Sequence, residues 1–226
     1  IEGPRKMLHK ARNEALMRFT PDMLDVALER GRGIPTMSEF KPIDGYRTYT
    51  GVDLGVAQKR RKSAGAYTSE TVFFTIAVHP SKVRQVLDVE AGRWSASTIM
   101  QKAVEKHRKY NSVLFVENNA AQDLFVQTLK DLHSIPVVPY TTTARAAHPE
   151  FGLEQMGVEM HNGLWIIPCD RVKRTEGEVS KWIQELYDYT PNKHVGDRVR
   201  AGMFAWEGAR RSESTVKGSK LRLLSR

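Results

Sequence analysis

The chain has 226 residues, room for one large α/β domain with an added segment, and no apolar run approaches the roughly 20 residues needed to cross a bilayer. At 40% hydrophobic and 27% charged it has the composition of an ordinary soluble globular protein. A formal net charge of +9 and a pI near 9.7 favour a polyanionic partner, nucleic acid ahead of a membrane surface, and the single Cys169 excludes an internal disulfide and fits a reducing cytoplasm. The sequence begins at Ile1, and Glu2 and Glu14 argue against a signal or transit peptide, so it reads as a piece of something longer.

Residues Arg5 to Phe19 place Met7, Leu8, Ala11, Ala15, Leu16 and Phe19 at helical spacing. Thr20-Pro21-Asp22 then predicts an N-cap with proline in the first turn of a short helix that ends at Gly31. Arg32 to Gly45 is rich in Gly and Pro and lacks periodicity, which places a domain boundary there. Residues 1–44 would be a helical arm, 45–211 the main domain, and 212–226 a flexible basic tail.

The main domain opens with a predicted strand from Tyr46 to Leu54 that carries Asp53 in an apolar β-pattern. A buried carboxylate must be paired, hydrogen-bonded or bound to a metal; the other reading is an aspartate that ends the strand and caps a turn between Gly51 and Gly55. Gln58 to Gly65 follows as a polar turn with four consecutive cations, Lys59, Arg60, Arg61 and Lys62, a solvated tip or, beside a phosphate site, a clamp. Thr71 to Val78 and Val83 to Val89 predict a hairpin about His79 to Lys82. Ala96 to Lys109 predicts a helix, Ser112 to Val116 a doubly buried strand that ends at Glu117, Ala120 to Leu132 a helix, and Ile135 to Val138 a strand. A three-strand meander followed by right-handed crossovers predicts a mixed α/β sheet of order 3-2-1-4-5, strands 1–3 antiparallel and 4–5 parallel to 1. That order brings Asp53 beside the end of strand four, where open α/β sheets bind ligands.

Thr141 to Glu159 reads as an irregular stretch with a short helix, Leu164 to Ile167 as a strand, and Glu178 to Tyr189 as a helix with Val179, Trp182, Ile183 and Leu186 on one face. A final helix opens at Gly196-Asp197 and runs to about Arg211, with Asp197 sharing a face with Ala201, Phe204, Ala205 and Gly208. Beyond it Lys217, Lys220, Arg222 and Arg226 face one acid, Glu213. Asp53, Glu117 and Asp197 would repel one another without a counter-ion, and hard divalent cations take oxygen ligands. Such a site suits in-line phosphodiester hydrolysis. The seven histidines form no His-Glu-x-x-His zinc motif, and no Ser/His/Asp arrangement is evident.

Gly51-Val52-Asp53-Leu54-Gly55, Val116-Glu117-Asn118-Asn119-Ala120-Ala121-Gln122 and His194-Val195-Gly196-Asp197-Arg198, in this order, resemble the motifs of the nuclease domain of tailed-bacteriophage large terminases, the DNA-packaging motors. The resemblance covers roughly residues 46 to 211 and implies an RNase H-like fold and a Mg²⁺- or Mn²⁺-dependent endonuclease that cuts concatemeric viral DNA. It implies one or two ions, with Asp53, Glu117 and Asp197 as the metal-binding catalytic acids and His194 as a possible helper. Lys59, Arg60, Arg61, Lys62, Arg198, Lys217, Lys220 and Arg222 would hold double-stranded DNA. It further implies partnership with an ATPase domain, a small terminase subunit and a portal protein, no membrane, a monomeric isolated domain, and the cytoplasm of an infected host cell. Several relatives carry two adjacent acids at the third motif, whereas Arg198 follows Asp197 here, so two-metal occupancy is less firmly implied than metal dependence. No G-x-x-x-x-G-K-[ST] loop is present. The other readings are a Holliday-junction resolvase or transposase type of nuclease, a non-catalytic DNA-binding module, and an actin or sugar-kinase type of ATP-binding protein, the last lacking its second phosphate motif.

Overall fold

The computed structural model describes residues 18–34, 45–55, 70–117, 123–140, 149–190 and 195–223, with backbone alone at 149–151 and 213–223. The expected helix over 5–19 lies almost wholly outside these residues, as do the basic turn Lys59 to Lys62, Asn118-Asn119 and His194.

Six strands make one sheet in the order β5-β4-β1-β2-β3-β6. They are β1 Arg47–Asp53, β2 Thr71–Val78, β3 Arg84–Gly92, β4 Val113–Glu117, β5 Val137–Tyr140 and β6 Trp165–Ile166. β1 runs antiparallel to β2 from Arg47↔Val78 to Asp53↔Val72, and β2 antiparallel to β3. β4 lies parallel to β1, with Val52 opposite Val116, and β5 parallel to β4. This is the order expected from the sequence, extended by β6 on the far side of β3, where Arg84 N donates to Leu164 O at 2.8 Å.

Side-chain alternation sorts the sheet into two faces. Val52, Phe73, Leu114 and Val116 point to a cluster closed by α2 (Ala96–Tyr110) and α3 (Asp123–His133), through Ala103, Val104, Val126 and Leu129. Tyr49, Phe74, Ile76 and Phe115 point the other way, to the larger cluster formed with α1 (Pro21–Arg30), α4 (Pro149–His161), α5 (Gly177–Asp188) and α6 (Asp197–Leu223). Trp165, Trp182 and Trp206 are fully enclosed on this second face. Helix starts follow local chemistry: Thr20 Oγ1 accepts from Met23 N at 3.4 Å, and Ser95 Oγ from Thr98 N at 3.3 Å.

Three elements differ from the sequence reading. The segment expected as an arm outside the domain is, over 18–34, part of its core. Phe19, Leu24 and Ala27 are fully buried, Ala27 O accepts from Ile167 N at 3.1 Å, and Gly33 N donates to Cys169 O at 2.9 Å. From Pro149 the stretch expected to be irregular over 141–159 is a helix of 13 residues that runs on to His161, α4, because Leu153, Met156 and Met160 make one buried stripe. The backbone of α6 stays helical to Leu223, past the expected end at about Arg211 and through most of the expected flexible tail.

α6 crosses β1 at a contact that only glycine permits. A Cβ on Gly51 would stand 2.5 Å from Ala205 N and closer still to the carbonyl oxygen of Ala201. Gly51 therefore sets how near the start of α6 approaches the strand that carries Asp53.

Candidate metal centre

Asp53 and Glu117 end adjacent parallel strands, each one residue past the facing pair Val52 and Val116. Since Val52 and Val116 point to the α2/α3 face, alternation turns Asp53 and Glu117 to the opposite face, in line with Gly51 and Phe115. That is the face crossed by α6, whose first residue is Asp197. The fold thus places the three acids on one face of the sheet, at the ends of β1 and β4 and at the N-terminus of α6, where the helix dipole favours a carboxylate.

Asp53 is 2% exposed, and its Oδ2 makes no hydrogen bond. Arg200 Nη1 stands 3.6 Å from that atom, beyond hydrogen-bond length but close enough for strong attraction. Burial pushes the Asp53 carboxyl up to about 7; Arg200 opposes the rise, and the charges of Asp197 and Glu117 add to it. Those two contributions place Asp197 and Glu117 each within electrostatic reach of Asp53. Asp197 is half-buried, and its Oδ2 accepts from Glu70 N at 3.0 Å, which fixes the orientation of the carboxylate.

Among the described residues, no three His, Cys, Asp or Glu side chains are already gathered closely enough to hold an ion. Arg200 attracts one oxygen of Asp53, and the Glu70 N–H takes one of Asp197. The donor set still fits a hard divalent cation: carboxylate oxygens alone, one of them buried without a hydrogen bond. A second acidic cluster shows the contrast. Asp88 is buried against Lys106 Nζ at 2.5 Å and accepts from Tyr110 Oη at 3.0 Å, while Glu90 takes Lys102 and Lys106. Its charges are matched inside the protein, so it has no need of an ion.

Arg198, expected on the DNA side, is a correction. It is 6% exposed and bound by Glu185, Glu178 and Glu70, with Nη1 2.8 Å from Glu185 Oε1 and Nη2 2.9 Å from Glu70 Oε2. Three glutamates hold it inward and tie the start of α6 to α5 and to the chain just before β2. His194 and Lys59 to Lys62 lie outside the described residues, and the side chains of Lys217, Lys220 and Arg222 are not described. Sequence reasoning missed Arg200 and Glu70. Arg200 carried a signal, since it lies three residues after Asp197 and shares its helix face. Glu70 carried none, because its role rests on a backbone N–H and a long-range ion pair.

No protein-family model matches the chain, and no curated protein matches it. Solved structures do. The large-terminase nuclease from thermophilic phage G20c with bound zinc matches at 13% identity and a TM-score of 0.56, over 82% of this chain and 97% of that one. The manganese-soaked human cytomegalovirus terminase nuclease domain matches at 12% and 0.52, over 83% and 92%. The large terminase of bacteriophage HK97 matches at 12% and 0.52, over 84% of this chain and 43% of the longer HK97 protein. At these identities the likeness concerns the fold, and the chain has the RNase H-like fold of large-terminase nuclease domains.

Proposed function

We propose that this protein is a divalent-metal-dependent endonuclease that hydrolyses DNA phosphodiesters, the nuclease part of a viral DNA-packaging terminase. Asp53 carries the reading. A carboxylate 2% exposed, flanked by two further acids and lacking a hydrogen bond at Oδ2, is poorly explained by folding stability alone and well explained as a cation ligand. Asp53, Glu117 and Asp197 would hold Mg²⁺ or Mn²⁺, one ion or two, with His194 as a candidate helper. A cation there would supply Lewis-acid activation of water and neutralise charge on the phosphate.

The protein's own contribution is position. β1 and β4 carry two acids at the ends of adjacent central strands, Gly51 sets the depth of α6, and the Glu70 N–H holds Asp197 by Oδ2. Double-stranded DNA would be held through its backbone by Lys59 to Lys62 and by Lys217, Lys220 and Arg222, the last three carried on the extension of α6. The substrate would be concatemeric viral genome DNA, and the working partners an ATPase domain, a small terminase subunit and a portal protein in the cytoplasm of the host cell. The isolated domain is expected to be monomeric.

The test is cleavage of supercoiled plasmid and of linear duplex in Mg²⁺ or Mn²⁺. Wild type should cut both, and a four-way junction no faster than the linear duplex, and Asp53→Asn should abolish cutting while retaining fold and DNA affinity. Wild type that binds DNA well yet cuts in neither metal would falsify the proposal.

A further inference from the structure

Arg200 occupies the position from which a cation would act on Asp53. Its Nη1 stands 3.6 Å from Asp53 Oδ2, a buried carboxylate oxygen without a hydrogen bond. The two side chains differ in exposure: 29% for Arg200 and 4% for Asp53. Asp53 is therefore enclosed within the sheet, whereas Arg200, on a long stem, is partly open to solvent. A guanidinium stays charged at any pH the protein experiences. A divalent cation drawn to Asp53 would meet that fixed positive charge within a few ångströms, where repulsion exceeds thermal energy even at a surface-like effective dielectric. The cation and Arg200 cannot both use this oxygen at full strength. Once displaced, a planar guanidinium is suited to a phosphate oxygen.

Resting on the nuclease reading above, we propose that Arg200 is an exchangeable counter-ion: it neutralises Asp53 when no cation is present, yields Asp53 to the cation, and then binds the DNA phosphate. Cation and DNA consequently bind cooperatively. Without DNA, Arg200 weakens cation binding. With DNA, the phosphate takes the arginine charge and the cation site is complete. By linkage, the cation strengthens DNA binding by the same factor.

The experiment compares wild type with R200Q, which removes the charge, and R200K, which retains it. Mn²⁺ affinity is measured on DNA-free protein by the spin-resonance signal of free Mn²⁺. Removing one unit charge at this range should tighten Mn²⁺ binding on the order of tenfold in R200Q and by less than about threefold in R200K. Affinity for a short duplex is then measured with and without Ca²⁺. The gain that Ca²⁺ confers should fall on the order of tenfold in R200Q, because its side chain can no longer move to the phosphate. Wild type that binds Mn²⁺ while R200Q binds it no more tightly overturns this inference alone. Wild type that binds no Mn²⁺ overturns it together with the nuclease reading.

Discussion

Asp53→Asn should stabilise the metal-free protein. The Asp53 carboxyl is pushed from its ordinary 3.8 up to about 7, first by burial and then by Asp197 and Glu117 against the pull of Arg200. Because the folded state holds this proton more tightly than the unfolded state, the group lowers stability as pH rises from about 4 to about 7. Above that window the penalty is complete. At about 1.4 kcal/mol per pH unit it amounts to about 4–5 kcal/mol as a ceiling. An asparagine amide at the same place must still be desolvated, and it loses the attraction of Arg200, so a net gain of about 1–3 kcal/mol is the realistic expectation. For a chain of this size that corresponds to a Tm increase of very roughly 3–10 °C. Thermal unfolding followed by circular dichroism in EDTA at pH 8 and pH 5 reads it directly: D53N should melt higher at pH 8, and the difference should shrink at pH 5. Adding Mn²⁺ at about a hundred times its Kd should raise wild type by roughly 2.7 kcal/mol and leave D53N nearly unchanged. A D53N protein less stable than wild type in EDTA at pH 8 would refute the argument that Asp53 is a strained, cation-seeking carboxylate.

Gly51→Ala should drive α6 off β1, since the new methyl meets the Ala201 carbonyl and Ala205 N. A loss of about 1–3 kcal/mol in denaturant titrations, with cleavage reduced on the order of a hundredfold, is expected as Asp197 moves from Asp53. Arg198→Met should destabilise the protein by about 2–4 kcal/mol at pH 7 by stranding Glu70, Glu178 and Glu185, while DNA affinity changes little. Burial alone would raise the Glu178 carboxyl, but hydrogen bonds from Lys181 and Arg198 hold it below its usual range. That stabilisation is present above the ordinary carboxylate range and is lost as pH falls through the folded value, so the gap between R198M and wild type should narrow in acid. Replacing Lys59, Arg60, Arg61 and Lys62 with alanine should weaken duplex binding and lower the slope of log affinity against log salt by about 3–4, as measured by filter binding.

The strand order and the convergence of Asp53 with Glu117 were legible because alternation, crossover handedness and turn signals are local or nearly so. α1 itself is legible from its Thr20-Pro21 start to Gly31, but its docking into the domain is hidden from the sequence. Its Leu24 and Ala27 bury against elements some 140 residues later, around Ile167 and Cys169, and a Gly- and Pro-rich segment reads as a linker whether or not it is docked. Arg198 follows a metal-motif acid and so reads in sequence as a phosphate contact; the glutamates that hold it come from Glu70 before β2 and from α5, a grouping that only the tertiary structure creates. α4 was underestimated because Gly152 and Gly157 interrupt its helical signal. In the fold Gly152 lies close on Met203, where a Cβ would stand 3.3 Å from Sδ.

The central claim is that Asp53, Glu117 and Asp197 share a divalent cation. A crystal soaked in Mn²⁺, with data collected at the manganese absorption edge, tests it most directly. Anomalous density should lie between these three carboxylates, within about 2.0–2.6 Å of Asp53 oxygen. Density elsewhere, or none with the three acids still apart, would contradict the account.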